Sequence, residues 1–309
     1  MAVQMGELVE ELKLPDIPPE GGLVQGPRAG WKLALSTFFE NKLAVVGTGI
    51  IAFFVLFCFV GPRLYHTDQV DTNILNAFLS PNHSYPLGTD SNGFDELGRI
   101  MKGGQAALEI GFFSSVVATL IGTLVGAVAG LVGGVVDAVL MRFVDVLLSL
   151  PLLFVILIVA DRYNGATVLS LSLIIGGFFW LAPSRLVRGE VLSLRQRDFV
   201  MASRTMGAGR AHLIYKHLIP NALGVVIVNT TFQVADAINI LAILGFLGYG
   251  LNYPQVSWGD MLSGALNYLQ DGYWWVVYPV GVCLVMVVMA FNFVGDALRD
   301  TVDIRMRRR

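Results

Sequence analysis

Four polar side chains within one apolar stretch are the residues of this sequence best placed to handle a polar solute. They are Asn229, Gln233, Asp236 and Asn239, and Asp236 is the one charged residue between His217 and Gly259. At about 100° per residue, a helix would hold all four within about 120° of arc. A polar stripe in an apolar helix needs water or polar partners. It therefore indicates either the wall of a translocation path or hydrogen bonding between helices.

A second candidate is the basic segment 185–220, in which seven Lys and Arg residues oppose Glu190 and Asp198. Asp198 is a suitable N-cap for a helix. Three apolar residues follow it at i, i+3 and i+7 spacing, which places them on one helical face: Phe199, Ala202 and Met206.

Glycines interrupt this predicted helix, and a proline closes the segment. Gly207 and Gly209 break the helix, an apolar pattern resumes at Leu213, and Pro220 is predicted to end it. The segment is either a basic loop held near anionic lipid heads or a helix that docks its apolar face on a cytoplasmic protein.

The sequence carries no pattern for catalysis or metal binding. Cys58 and Cys283 both lie in apolar runs, and the four histidines are scattered, which excludes a disulfide framework and a CxxC zinc site. A GxxxxGK[ST] P-loop is also missing from the sequence, so we expect no ATP hydrolysis by this chain. The net charge of −2 gives no basis for binding nucleic acid.

Apolar segments long enough to cross a membrane would position these residues. Of the 309 residues, 55% are hydrophobic and 14% charged, and a crossing helix needs about 20 apolar residues. Six segments qualify: Leu43–Pro62, Ile110–Val136, Ala138–Ala160, Tyr163–Ser184, 217–259 and Gly272–Gly295. Because a backbone in lipid must satisfy its own hydrogen bonds, we predict an all-α integral membrane protein with six transmembrane helices.

The basic residues predict the orientation of the chain. With the N-terminus inside, the inner segments hold 17 of the 21 Lys and Arg residues and the outer segments hold four. Basic residues favour the cytoplasmic side, so both termini are predicted to be cytoplasmic.

Two further patterns predict how the helices pack. Four glycines recur every fourth residue in the second segment and would let another helix approach closely: Gly122, Gly126, Gly130 and Gly134. In the third segment, Arg142 and Asp145 lie three apart and are predicted to pair, just before a bend at Leu150–Pro151.

The segment 198–220 resembles the coupling loop of ABC importer permeases, whose signature is E-A-A-x3-G-x9-I-x-L-P. Gly207 takes the position of the fixed glycine and Pro220 that of the final proline. The sequence departs from the signature at Met201, Ser203, His217 and Ile219.

Two other stretches resemble the peptide class of the same family. Pro86–Arg99 is similar to the signature H-P-L-G-T-D-x-x-G-R-D-x-L-x-R, with Tyr85 in place of His and Phe94 in place of Arg. Phe291–Arg305 is similar to the C-terminal stretch N-x-x-G-D-x-L-R-D-x-x-D. The resemblance favours the C-type permease subunit of a dipeptide or oligopeptide importer.

The resemblance implies a type I ABC importer architecture and several partners. These are a second homologous permease subunit, two cytoplasmic ATPase subunits that bind ATP and Mg²⁺, an external substrate-binding protein and the lipid of the bacterial inner membrane. This chain itself would need no cofactor. The residues implied in coupling to the ATPase are Asp198, Phe199, Met201, Ala202, Ser203, Met206, Gly207, Arg210, His217 and Pro220.

The chain is accordingly divided into four parts. Residues 1–42 form a cytoplasmic tail, with an interfacial helix or a helical extension of the first crossing over Trp31–Lys42. Residues 43–107 form the first crossing and an external segment, 108–298 form a five-helix core that includes the loop 185–220, and 299–309 form a basic cytoplasmic tail. The alternatives to an ATP-driven importer are a proton-coupled secondary transporter and a membrane scaffold that transports nothing.

Overall fold

Helices account for most of the part of the chain that the computed structural model describes, which is residues 38–67, 69–162 and 166–307. The predicted tail 1–30 and most of the predicted interfacial helix lie outside these residues. The helices are α1 (Lys42–Phe59), α2 (Gly61–Leu64), α3 (Glu96–Val132), α4 (Gly134–Leu148), α5 (Leu152–Arg162), α6 (Val168–Phe179), α7 (Leu181–Leu194), α8 (Asp198–Thr205), α9 (Arg210–Leu213), α10 (Ile219–Phe246), α11 (Trp258–Leu269) and α12 (Tyr278–Arg307).

Four of the predicted crossings are continuous helices, and two are bent pairs. The stretches Lys42–Leu64, Glu96–Val132, Arg210–Phe246 and Trp274–Val302 are long and apolar enough to span a bilayer. The pair α4–α5 bends by 83° and the pair α6–α7 by 45°, which brings the number of spans to six when each pair counts as one. The predicted all-α membrane fold is therefore confirmed.

A proline explains the position of each break. The bend between α4 and α5 falls at Pro151, as predicted, because proline cannot donate the backbone bond that would continue the helix. The second break lies at Trp180, between α6 and α7, and Pro183 follows it in the first turn of α7. Pro183 has no N–H to offer the carbonyl of Phe179 four residues earlier.

Helix α3 packs closely against α7 through three of the four predicted glycines. A Cβ on Gly122 would lie 2.9 Å from the carbonyl oxygen of Trp180, and one on Gly130 would lie 2.8 Å from a methyl of Val191. Gly126 faces the backbone of α7 in the same way. The prediction is wrong for Gly134, which begins α4 with a φ of +57° and has no neighbouring atom within 4 Å of the Cβ position. Helix α3 ends before it, at Val132.

Candidate functional site

The candidate coupling segment begins with α8, a helix of eight residues. Its N-cap is Arg197, whose side chain makes no capping hydrogen bond. The prediction of Asp198 as the N-cap is therefore wrong by one residue, because Asp198 is already helical and lies in the first turn. Its carboxylate there is near the positive end of the helix dipole.

Gly207 forms the turn after α8, as predicted. Its φ is +85°, a conformation that favours glycine, and no atom lies within 4 Å of its Cβ position. The N–H groups of Gly207 and Ala208 donate to the carbonyls of Arg204 and Ser203 at 3.0 and 3.1 Å, which closes the end of the helix. The residue type is thus required by the backbone and not by a lack of space.

Pro220 does not end the helix that follows, which corrects the prediction from the sequence. The helix continues from Arg210 to Phe246, because residues 214–218 form a π-helical turn just before the proline. In this turn the N–H of Ile219 donates to the carbonyl of Ile214, one residue further back than in an α-helix. The side-chain amide of Asn221 also donates to the carbonyl of His217 at 2.6 Å. The helix therefore passes through Pro220 without a break.

One face of the coupling segment is anchored to the rest of the protein. Val200, Leu213 and Leu218 are buried in a cluster with Val187 and Val191 of α7. Ser203 is also buried, and its Oγ lies 3.3 Å from Nε2 of His217. This anchoring fixes α8 against α7 and the start of the long helix.

The remaining surface of the segment is uncovered and carries large apolar side chains among charged and polar ones. The exposed fractions are 42% for Phe199, 50% for Met201 and 79% for Met206. Ala202 and Arg210 are exposed as well, and Arg204 adds positive charge. Of the ten predicted coupling residues, Ser203 is buried and His217 is half-buried. The other eight are exposed: Asp198, Phe199, Met201, Ala202, Met206, Gly207, Arg210 and Pro220.

Ion pairs join α7, which leads into α8, to α4. The guanidinium of Arg188 forms a bidentate pair with Asp137, one bond running from Nη2 to Oδ2 at 2.6 Å. Oδ1 of Asp145 lies 3.7 Å from Nη1 of Arg185. The predicted pair of Asp145 with Arg142 is therefore wrong. Residues of two helices that are distant in sequence meet here, and spacing within one helix could not reveal it.

A backbone contact adds to this connection. Nη1 of Arg195, at the end of α7, donates to the carbonyl of Gly130 near the end of α3 at 3.0 Å. Helix α7 is therefore bound to both α4 and α3.

The four residues of the predicted polar stripe lie in three different settings. Gln233 is buried, accepts a bond from Thr119 at 3.2 Å and donates to the carbonyl of Phe179 at 2.9 Å. Asn229 lines a cavity of about 380 Å³ beside Phe232 and Arg299.

Asp236 and Asn239 are both exposed and line a separate cavity of about 340 Å³. Of the stripe, the structure brings only these two together at one open surface.

The motif 86–99 shapes the segment after the first crossing. Asp95 caps α3 through a bond from the N–H of Gly98 at 2.9 Å, and Arg99 lies 3.5 Å from Asp90. Burial raises the pKa of the Asp95 carboxyl, and burial likewise raises the pKa of Asp260. Asp260 accepts bonds from Ser257 at the start of α11. These residues stabilise the loops, and none of them forms a cluster with open coordination positions.

Within the described residues, no group of three or more His, Cys, Asp or Glu side chains could hold a metal ion. Two features match the residues singled out from the sequence: the exposed surface of α8 and the cavity beside α10.

Comparison with known proteins finds transport permeases that match nearly the whole chain. Residues 122–308 match the model of the binding-protein-dependent transport system inner membrane component, and residues 30–81 match that of the N-terminal TM domain of oligopeptide transport permease C. The chain is 38% identical to the oligopeptide transport system permease protein OppC of Bacillus subtilis, over 90% of each chain.

Two further relatives come from other bacteria. The OppC protein of Haemophilus influenzae is 35% identical, over 97% of this chain and 93% of its own. The dipeptide transport system permease protein DppC of Alkalihalophilus pseudofirmus is 36% identical, over 90% of each chain.

Proposed function

Because this chain belongs to the binding-protein-dependent transport system inner membrane components, as a multi-pass permease of the oligopeptide and dipeptide class, we propose that it carries peptides into the cytoplasm within an ATP-driven importer. The family is one of transport permeases and not of enzymes. The partners we propose are a second permease subunit, two cytoplasmic ATPase subunits that bind ATP and Mg²⁺, and an external substrate-binding protein.

The observation that carries the proposal is the two-sided character of α8. Its inner side is fixed by Val200 and Ser203. Large apolar side chains stay uncovered beside the charged Asp198 and Arg204: Phe199 and Met201 on the helix, and Met206 just after it. Exposed apolar side chains on a short helix of this kind suit a groove on a partner protein. We propose that the ATPase subunits bind this face and that their closure pushes on residues 198–220.

The connections of α7 support a route for that push. Helix α7 immediately precedes α8 and is bound to α4 through Arg188 and Asp137 and to α3 through Arg195. A displacement of α8 would therefore move α3, α4 and α7 as a unit. Rigid-body movement of such a unit against the second permease would give alternating access.

The path for the substrate, in this proposal, runs beside α10. Asp236 and Asn239 line its open surface, Asn229 lines a second cavity, and Gln233 supports the neighbouring packing. We further propose that both termini lie in the cytoplasm, on the 17 to four distribution of basic residues.

Two glycines two residues apart provide the test and its control. Gly207 has a φ of +85°, whereas Gly209 has a φ of −70°, and neither has an atom within 4 Å of its Cβ position. Gly207→Val should distort the turn because a β-branched residue is strained at positive φ. Gly209→Val should be tolerated.

The measurement is peptide uptake and ATP hydrolysis by the complete transporter in proteoliposomes. We expect Gly207→Val to lose most uptake while ATP hydrolysis continues, and Gly209→Val to behave like the unaltered protein. Unchanged uptake by Gly207→Val would show that the turn has no coupling role. Uptake that needs a proton gradient and not ATP would instead support the proton-coupled alternative.

A further inference from the structure

The cavity beside Asp236 lies where both helix breaks meet α10. Leu148 and Leu152 flank the break at Pro151, and Phe179 and Leu181 flank the break at Trp180. Asp236 and Asn239, one turn apart on α10, supply the side chains with hydrogen-bonding groups. The cavity of about 340 Å³ is therefore an apolar space with one carboxylate and one amide on the same wall.

The side chains of Asp236 and Asn239 have no bonding partner within the described part of the protein. Gln233, one turn earlier, has both ends of its amide bonded. Asp236 and Asn239 have no hydrogen bond or ion pair with any described residue, and no Lys or Arg lines the cavity. A carboxylate in apolar surroundings is costly unless it is paired with a cation. A cation that pairs with Asp236 would therefore come from outside the described chain.

We propose that this cavity binds the ammonium group at the amino terminus of the transported peptide, with the carboxylate of Asp236 and the side-chain oxygen of Asn239 as acceptors. This inference rests on the proposed function in peptide import. An ammonium group has three N–H donors and suits a carboxylate with a neighbouring amide oxygen. A metal ion fits less well, since the described residues offer no third acidic, His or Cys ligand nearby.

The lining of the cavity agrees with a ligand that has constant ends and variable side chains. An unmodified amino terminus is the same in every peptide, so one carboxylate can recognise it regardless of sequence. The apolar walls can contact side chains without selecting among them, and the volume is within the usual range of about 300–1,000 Å³ for small-molecule sites.

Direct binding to the purified complex, without the external binding protein and without ATP, tests the inference. The probes are trialanine and N-acetyl-trialanine, whose binding to the transporter in lipid nanodiscs is measured by saturation-transfer NMR. We expect at least tenfold tighter binding of trialanine to the unaltered complex. Asp236→Asn should remove this preference, and Asp236→Glu should keep most of it. Asp271→Asn, which removes an exposed carboxylate outside the cavity, should have no effect.

Several results would overturn the inference. They are equal or undetectable binding of the two probes by the unaltered complex, and an intact preference in Asp236→Asn. Failure of Asp236→Asn to co-purify with the second permease subunit would overturn it as well, because Asp236 would then pair with that subunit. The proposed function is tested separately, by ATP-dependent uptake in the unaltered transporter.

Discussion

The side-chain amide of Gln233 donates a hydrogen bond of 2.9 Å to the carbonyl oxygen of Phe179. That carbonyl has no helical partner, because the residue four positions later is Pro183. The oxygen of the same amide accepts a bond from Thr119. A single side chain of α10 therefore stabilises the break between α6 and α7 and connects it to α3.

Gln233→Leu should destabilise the protein, since it leaves the Phe179 carbonyl and the Thr119 hydroxyl without this partner. The expected loss is about 1–3 kcal/mol, the usual cost of leaving a buried polar group unsatisfied. Thermal unfolding in detergent measures it. Asn239→Leu is the control, because Asn239 is exposed and unbonded among the described residues. An equal loss in both variants would contradict the role given to Gln233.

Exchanging the charges of Arg188 and Asp137 should separate their role in coupling from their role in stability. Each single reversal, Arg188→Asp or Asp137→Arg, places like charges together, and we expect uptake per ATP hydrolysed to fall severalfold. The double exchange should restore most of it. The measurement is the ratio of uptake to ATP hydrolysis in proteoliposomes.

The pair of Arg185 and Asp145 offers a matched comparison. It is longer, at 3.7 Å, and about half exposed, so the same exchange there should have a smaller effect. If the double exchange of Arg188 and Asp137 fails to rescue coupling while both proteins fold normally, the ion pair does not transmit movement.

Gly122→Val should disturb the contact of α3 with α7, because even a Cβ atom would lie 2.9 Å from the carbonyl of Trp180. Overpacking of this kind costs about 1–3 kcal/mol, and thermal unfolding would report it. Gly177→Val on α6 is the control, since no atom lies within 4 Å of its Cβ position. Equal stability of the two variants would show that the close approach at Gly122 is not required.

The sequence predicts those features that depend on local chemistry. The six apolar segments, the bend at Pro151 and the close packing of α3 at Gly122, Gly126 and Gly130 follow from residue type and spacing alone, and the structure has them. The same spacing is misleading at Gly134, which begins α4. The turn at Gly207 belongs to the same group, because its backbone conformation favours glycine.

The features that sequence reasoning missed depend on contacts between distant segments. Pro220 looks like a helix end, and only the π-helical turn before it allows the helix to continue. The predicted partner of Asp145 was within its own helix, whereas the actual partner is on α7. Gln233 looked equivalent to Asp236 in the stripe, and its burial follows from the position of Phe179. The division of the chain into four parts stays a prediction.

Cross-linking from Met206 tests most directly whether α8 faces the cytoplasm and touches the proposed ATPase subunits. Met206 is 79% exposed and Leu75, in the predicted external segment, is 94% exposed. Met206→Cys and Leu75→Cys would each be made with Cys58 and Cys283 replaced by alanine. We predict that Met206→Cys cross-links to an ATPase subunit and is protected from a membrane-impermeant thiol reagent added outside, while Leu75→Cys is labelled by that reagent and forms no such cross-link. Labelling of Met206→Cys from outside, or its failure to reach an ATPase subunit in an actively transporting complex, would contradict the account.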